Sequence, residues 1–164
     1  MFCTECGEKL TLMYANGEGL VPYCKNCGQF RFAQFATAVS MVVTNRAKDK
    51  ILLARHKGDS DFILFAGYVK KGETAEKALT REFKEETKLD VVKYKYLSSR
   101  YHEPRNVLML GYLVMAEEGE PVIDAKEIEE IKWFALDEAQ GAVKKDYKTA
   151  ETFLKAALNE IKKF

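Results

Sequence analysis

No excess of charge of either sign marks this chain of 164 residues: 26 lysines and arginines stand against 25 acidic side chains, for a net charge of +1. Without a global basic field, a general nucleic-acid binder or a protein held to membrane surfaces by charge is disfavoured. No apolar run approaches the ~20 residues that a membrane-crossing helix needs. The N-terminus, MFCTECGEKL, lacks the basic-then-apolar order of a secretion signal, so the expected compartment is the cytoplasm. No cysteine follows residue 27, no stretch repeats internally, and no low-complexity linker interrupts the chain. In a reducing compartment the cysteines are expected as thiols or metal ligands and not as disulfides. What remains is 47% hydrophobic and 31% charged, the balance of a globular chain with one ordinary core and a small appendage.

The appendage is legible in the cysteines. They form two pairs, Cys3-x2-Cys6 and Cys24-x2-Cys27, each followed by glycine, Gly7 and Gly28. A two-residue gap lets two thiolates grip one ion from a tight turn, and the glycine after it permits a positive φ. Residues 7 to 23 are long enough for a hairpin that brings the knuckles together, with Asn16-Gly17 as its turn. Two disulfides, a redox pair or four unrelated thiols are the alternatives, but paired knuckles at this spacing favour tetrahedral Zn²⁺. A closed four-cysteine site leaves no open coordination position, which makes such a zinc structural. Residues 1–30 are therefore expected as a zinc ribbon, too small to fold on apolar burial alone, and residues 31–164 as the main domain.

The main domain reads as one α/β unit. Thr37–Thr44 and Ile51–Ala54 are apolar runs around a polar turn and predict a hairpin. Further strands are expected at Phe62–Ala66, Val91–Leu97, Val107–Ala116 and Lys132–Leu136, the last containing Trp133 as a core residue. An amphipathic helix is expected over Tyr147–Lys162, where Ala150, Phe153, Leu154, Ala157, Leu158 and Ile161 share one face. His56, between Arg55 and Lys57, is expected in solvent.

A second helix, over about Thr74–Thr87, breaks the patterning rule. Its inward stripe starts as Ala75, Ala78 and Leu79 and continues as Glu82, Phe83 and Glu86, with Glu85 at its border. The lysines 77, 84 and 88 lie opposite. Burying carboxylates without a partner costs several kcal/mol per ion. A divalent cation held by Glu82, Glu86 and Glu85 explains the segregation, and oxygen ligands suit Mg²⁺ or Mn²⁺. A merely charged, solvated helix is the alternative.

Here the sequence resembles the Nudix hydrolases. Gly67, Glu73, Arg81, Glu82, Phe83, Glu85, Glu86 and Leu89 match the spacing of that family's box, and only its late glycine differs, as Lys88. The cysteine pairs ahead of the box narrow the resemblance to the NADH pyrophosphatase-like branch, over essentially the whole chain. The resemblance implies an α/β/α sandwich around a mixed sheet and hydrolysis of a nucleoside diphosphate linked to another moiety. It implies Glu82 and Glu86 as ligands of Mg²⁺ or Mn²⁺, Glu85 as a third acidic position, Glu127 as a further ligand, and Ala66 as a carbonyl ligand. Arg81 would orient the carboxylates, and Glu85 or Glu86 would take the proton of the attacking water. The branch also implies a homodimer.

Two departures stand out. Lys88 replaces a glycine that serves as a left-handed helix stop, which implies an altered helix end. The branch's Ser-Gln-Pro-Trp-Pro-Phe-Pro-x-Ser segment is replaced by Ser99 to Val107, although the following LMLGY is similar. NADH selectivity therefore does not follow. Arg100, Tyr101, His102 and Arg105 in that stretch are candidate substrate contacts, with an ordinary polar loop as the alternative; Phe32 resembles an aromatic contact position. The expected substrate is a small nucleotide conjugate such as NAD(H) or ADP-ribose, cleaved to AMP and the other phosphorylated half. Capped RNA ends, a nucleoside triphosphate, or a nucleotide- or RNA-binding module without catalysis are the other readings.

Overall fold

The apolar run after residue 36 alternates so little because the strand it forms is covered on both faces. The computed structural model describes residues 1–123, 128–143 and 148–164, and the chain divides into two units, Met1–Phe35 and Ala36–Phe164.

The first unit is a three-stranded antiparallel sheet of β1 (Thr11–Ala15), β2 (Gly19–Cys24) and β3 (Gln29–Phe30), in that order. The turn at Asn16-Gly17 joins β1 to β2 and pairs Ala15 with Gly19, with Gly17 at a φ of 86°. Besides Cys3 and Cys24, the buried hydrophobic residues of this unit are Ala15 and Val21. Two small side chains supply far too little apolar burial to hold 35 ordered residues.

The second unit is built on a mixed sheet. Its strands are β4 (Ala36–Thr44), β5 (Lys50–His56), β6 (Phe65–Tyr68), β7 (Val91–His102), β8 (Val107–Ala116) and β9 (Ile128–Ala135). The order is β7-β8-β4-β5-β9, with β6 paired to the first half of β4. The β4–β8 pairing is parallel, from Ala36 opposite Val107 to Thr44 opposite Met115, and the others are antiparallel. One face packs on α1 (Ala75–Thr87), and the other on α2 (Leu136–Ala142) and α3 (Lys148–Glu160). Along β4, Val39, Met41 and Val43 enter the α1-side core, while Ala38 and Val42 enter the α3-side core. The expected α/β/α sandwich is thus present. Among the described residues no helix is long and apolar enough to cross a membrane.

Several element bounds differ from expectation. The strand expected over Phe62–Ala66 begins at Phe65, because Phe62 and Ile63 make only isolated bridges, to Val143 and Ala54. Strand β7 runs on to His102, and bulges at Val91/Lys93 and Tyr96/Ser98 interrupt its alternation while its pairing with β8 continues. Leu136 opens α2 instead of closing a strand, and a seven-residue helix is too short to show a periodicity.

The α3 side is packed to contact at Gly111 on β8. A Cβ there would lie 2.4 Å from Cδ1 of Phe153, whose ring is fully buried. Gly111→Ala is expected to destabilise the unit by about 2–3 kcal/mol through overpacking. A lower denaturant midpoint at unchanged slope checks it.

Candidate functional site

In the first unit the four sulfurs all lie within 4.8 Å of one another. Cys6 Sγ is 3.5 Å from that of Cys24 and 3.4 Å from that of Cys27, and Cys3 and Cys27 are 3.9 Å apart. Thiolates ~2.3 Å from a tetrahedral Zn²⁺ stand about 3.8 Å from one another, so the set has the right size for that ion. The two knuckles are built alike. Gly7 N donates to Cys3 O and Gly28 N to Cys24 O, each at 2.9 Å, with φ of 76° and 66° at the two glycines. Arg31 Nε donates to Cys3 Sγ at 3.2 Å. Burial pushes the Cys3 thiol up, but hydrogen bonds from Arg31 and from backbone amides outweigh it and bring it to about 6. Sharing protons with Cys6 and Cys24 raises Cys27 to about 12. Phe32, in the same unit, is 57% exposed.

In the second unit the centre of the box is Arg81. Its Nε and Nη2 grip the two oxygens of Glu73 at 2.8 and 2.9 Å. Its Nη1 reaches Glu82 at 2.6 Å and Glu85 at 3.4 Å, and Nη2 also donates to the carbonyl of Tyr68 at 3.0 Å. The guanidinium thus ties α1 to β6. The i,i+4 contact to Glu85, the one visible in the spacing, is the longest of these. The side chain of Glu82 is 16% exposed and that of Glu85 56%. Gly67 on β6 makes room for Glu82: a Cβ there would lie 2.1 Å from its Cγ and Cδ.

Hydrogen bonding from Arg81, and then from the Lys70 amide, lowers the Glu73 carboxyl to about 2. A carboxylate depressed in the folded state adds stability that is complete above its unfolded value near 4.5 and is lost as pH falls through about 2. Glu73→Gln is therefore expected to flatten the fall of the melting temperature across that window, as read by thermal unfolding against pH.

A cavity of about 480 Å³ opens beside the box. Ala66, Gly67 and Glu86 line one part of it, and His102 and Arg105 another. Ser40 and apolar residues such as Ala38, Leu64 and Met109 complete the lining, together with His56 and Asp59. His56 is half-buried here, not set in solvent, because after the bulge at Arg55/His56 it still pairs with Ile128 at the end of the β5–β9 ladder, and the chain turns just beyond it. Of the four candidate contacts after Ser99, two line the cavity and two do not. Arg100 donates to Thr152 of α3 at 3.3 Å, and the hydroxyl of Tyr101 bonds Asn106. Glu127 lies outside the described residues. Trp133 is half-buried against the α1-side core.

The oxygens of Ala66, Glu82, Glu85 and Glu86 are an all-oxygen donor set, which fits a hard divalent cation. Among the described residues only the four cysteines converge as a preformed group of three or more such ligands.

The helix end is not altered as expected. Lys88 takes the left-handed conformation itself, φ 62°, and its N–H caps Lys84 O at 3.0 Å. Its ammonium bonds Glu85 O at 2.9 Å, which offsets part of the strain. Lys88→Gly is expected to stabilise by about 0.5 kcal/mol, the left-handed penalty less the lost bond and glycine's greater unfolded entropy, as read by chemical denaturation.

Comparison with known proteins follows this architecture. The NUDIX domain profile matches residues 34–157. Similar curated relatives are proteins named NAD-capped RNA hydrolase NudC. The one from Edwardsiella ictaluri is 34% identical over 138 residues, 83% of this chain and 52% of that protein. One from Escherichia coli is 32% identical over 139 residues, 84% of this chain and 52% of that protein. The chain thus spans about half the length of the curated relatives it matches. Among solved structures, a NUDIX hydrolase from Nitrosomonas europaea superposes with a TM-score of 0.67 at 18% identity, covering 97% of this chain and 90% of that one. A MutT NUDIX hydrolase from Burkholderia pseudomallei gives 0.63 at 22%, covering 76% and 98%. With the profile spanning most of its length and the fold shared, this chain belongs to the NUDIX family.

Proposed function

We propose that this protein hydrolyses the diphosphate bond of a nucleoside diphosphate conjugate, of the NAD(H) or ADP-ribose type, and releases AMP with the other phosphorylated half. The observation that carries this reading is the cavity lined by Glu86 and Ala66 beside carboxylates anchored by Arg81. Glu82, Glu85, Glu86, Glu127 and the Ala66 carbonyl would hold Mg²⁺ or Mn²⁺. When bound, the ion neutralises phosphate oxygens and makes water a better nucleophile. Arg81 holds Glu82 in place, and Glu85 or Glu86 takes the water's proton. His102 and Arg105 bring positive or hydrogen-bonding groups to the same cavity, suited to phosphate oxygens. Arg100 and Tyr101, engaged with Thr152 and Asn106, are not among the proposed contacts. Cys3, Cys6, Cys24 and Cys27 hold a structural Zn²⁺ in the ribbon, residues 1–30, ahead of the hydrolase domain, residues 31–164. The protein acts in the cytoplasm as a homodimer.

A second substrate reading, an RNA end capped with NAD, is favoured by the names of the similar curated relatives. Both are tested by one panel: NADH, ADP-ribose, NAD-capped RNA and nucleoside triphosphates, each with Mg²⁺ or Mn²⁺. AMP with its matching half is the expected product from a conjugate; no turnover of any member defeats the proposal.

A further inference from the structure

The wall of the cavity formed by the turn after β5 is clamped more firmly than an ordinary loop requires. His56 and Asp59 close a turn in which Asp59 N donates to His56 O at 3.1 Å, with Gly58 at a φ of 82°. Arg55 holds this turn from behind. Its Nη1 donates to Asp59 O at 3.4 Å, its Nη2 meets Glu130 at 2.8 Å, and Nη1 lies 3.4 Å from Glu129. The guanidinium carbon sits 5.8 Å from the centre of the Phe62 ring, which packs edge-on against Phe134. Downstream, Ile63 and Ala54 exchange backbone hydrogen bonds of 2.8 and 3.1 Å. The segment is thus anchored at both ends, with His56 and Asp59 lining the cavity.

This wall carries Asp59, an exposed residue, in a cavity whose lining also holds Ala38, Ala54, Ile63, Leu64 and Met109. A flat heteroaromatic ring suits the apolar lining, and a carboxylate accepts hydrogen bonds only. We propose that the Arg55-clamped turn is the specificity element of the site, with Asp59 accepting an exocyclic N–H of the ring carried by the substrate and Arg55 as its positioning residue. The inference rests on the dinucleotide reading above. Two rings of such a substrate carry this donor, the adenine amino group and the nicotinamide carboxamide.

The test compares NAD with two analogues: one whose adenine amino group is replaced by hydrogen, and one whose carboxamide is replaced by carboxylate. The intact protein is expected to prefer NAD by about tenfold or more in kcat/KM over one of the two, which names the ring. Asp59→Ala should bring that ratio close to one. Arg55→Met should lower it in the same direction, a change in discrimination that mere loss of stability would not produce. Equal use of all three by the intact protein, or an unchanged ratio in Asp59→Ala, overturns the inference while leaving the hydrolase standing. Should no dinucleotide turn over, the hydrolase reading has failed. Calorimetric titration of both proteins with AMP, purine riboside monophosphate, nicotinamide mononucleotide and nicotinic acid mononucleotide then decides the inference by the same ratios.

Discussion

Glu86→Gln is expected to lower kcat on the preferred conjugate by about 10³-fold, within the range a proton-accepting or ion-holding carboxylate contributes. The substitution keeps the shape of the side chain and removes only its charge and basicity. Glu86 is half-buried at the cavity wall, outside the apolar cores, while Arg81 secures Glu73 and Glu82. Folding should therefore change by less than about 0.5 kcal/mol, as for a substitution outside the core. Steady-state kinetics beside a thermal melt separate the two effects. A variant with near-native kcat would take Glu86 out of the reaction.

Removing the zinc proposed for the cysteine cluster is expected to unfold the first unit outright. Structural zinc supplies an apparent 10–16 kcal/mol in ribbon- and finger-sized folds. This unit has only Ala15 and Val21 buried beside its two buried cysteines, so nothing else compensates. Chelation should abolish slow amide exchange along β1 and β2. It should leave the strands of the second unit protected, because Ala36–Phe164 has two apolar cores of its own. Cys24→Ser should act in the same direction, since Cys24 is fully buried. Metal analysis of the purified chain is expected to find about one zinc. Unchanged exchange after complete chelation would sink the prediction.

Much of the site was legible because its signals are local. A two-residue cysteine spacing, a helix whose inward stripe turns acidic, and two continuous apolar strands each report on neighbours within a few residues. They located the sulfur cluster, α1 and the bounds of β8. The box spacing also named Glu73 and Arg81, although not their partnership: eight residues apart and across the helix start, they meet only through the backbone path of the 70–74 loop.

The stretch after Ser99 shows where local reading stops. Arg100, Tyr101, His102 and Arg105 look equivalent as a string of polar and aromatic residues. In the fold the bulge at Tyr96/Ser98 resets which way β7 faces, the 3₁₀ turn at Glu103–Arg105 turns the chain, and only His102 and Arg105 line the cavity. His56 and Asp59 carry no motif at all. Their place beside Glu86 depends on β4 dividing its edge between β6 and β5 and on the Arg55 clamp. By itself, then, the sequence determined which donor atoms each unit offers, sulfur in one and carboxylate oxygen in the other, because residue type and short spacing are properties of the chain. Which side chains share the cavity was decided by tertiary structure alone, because strand register and bulges are set by partners distant in sequence.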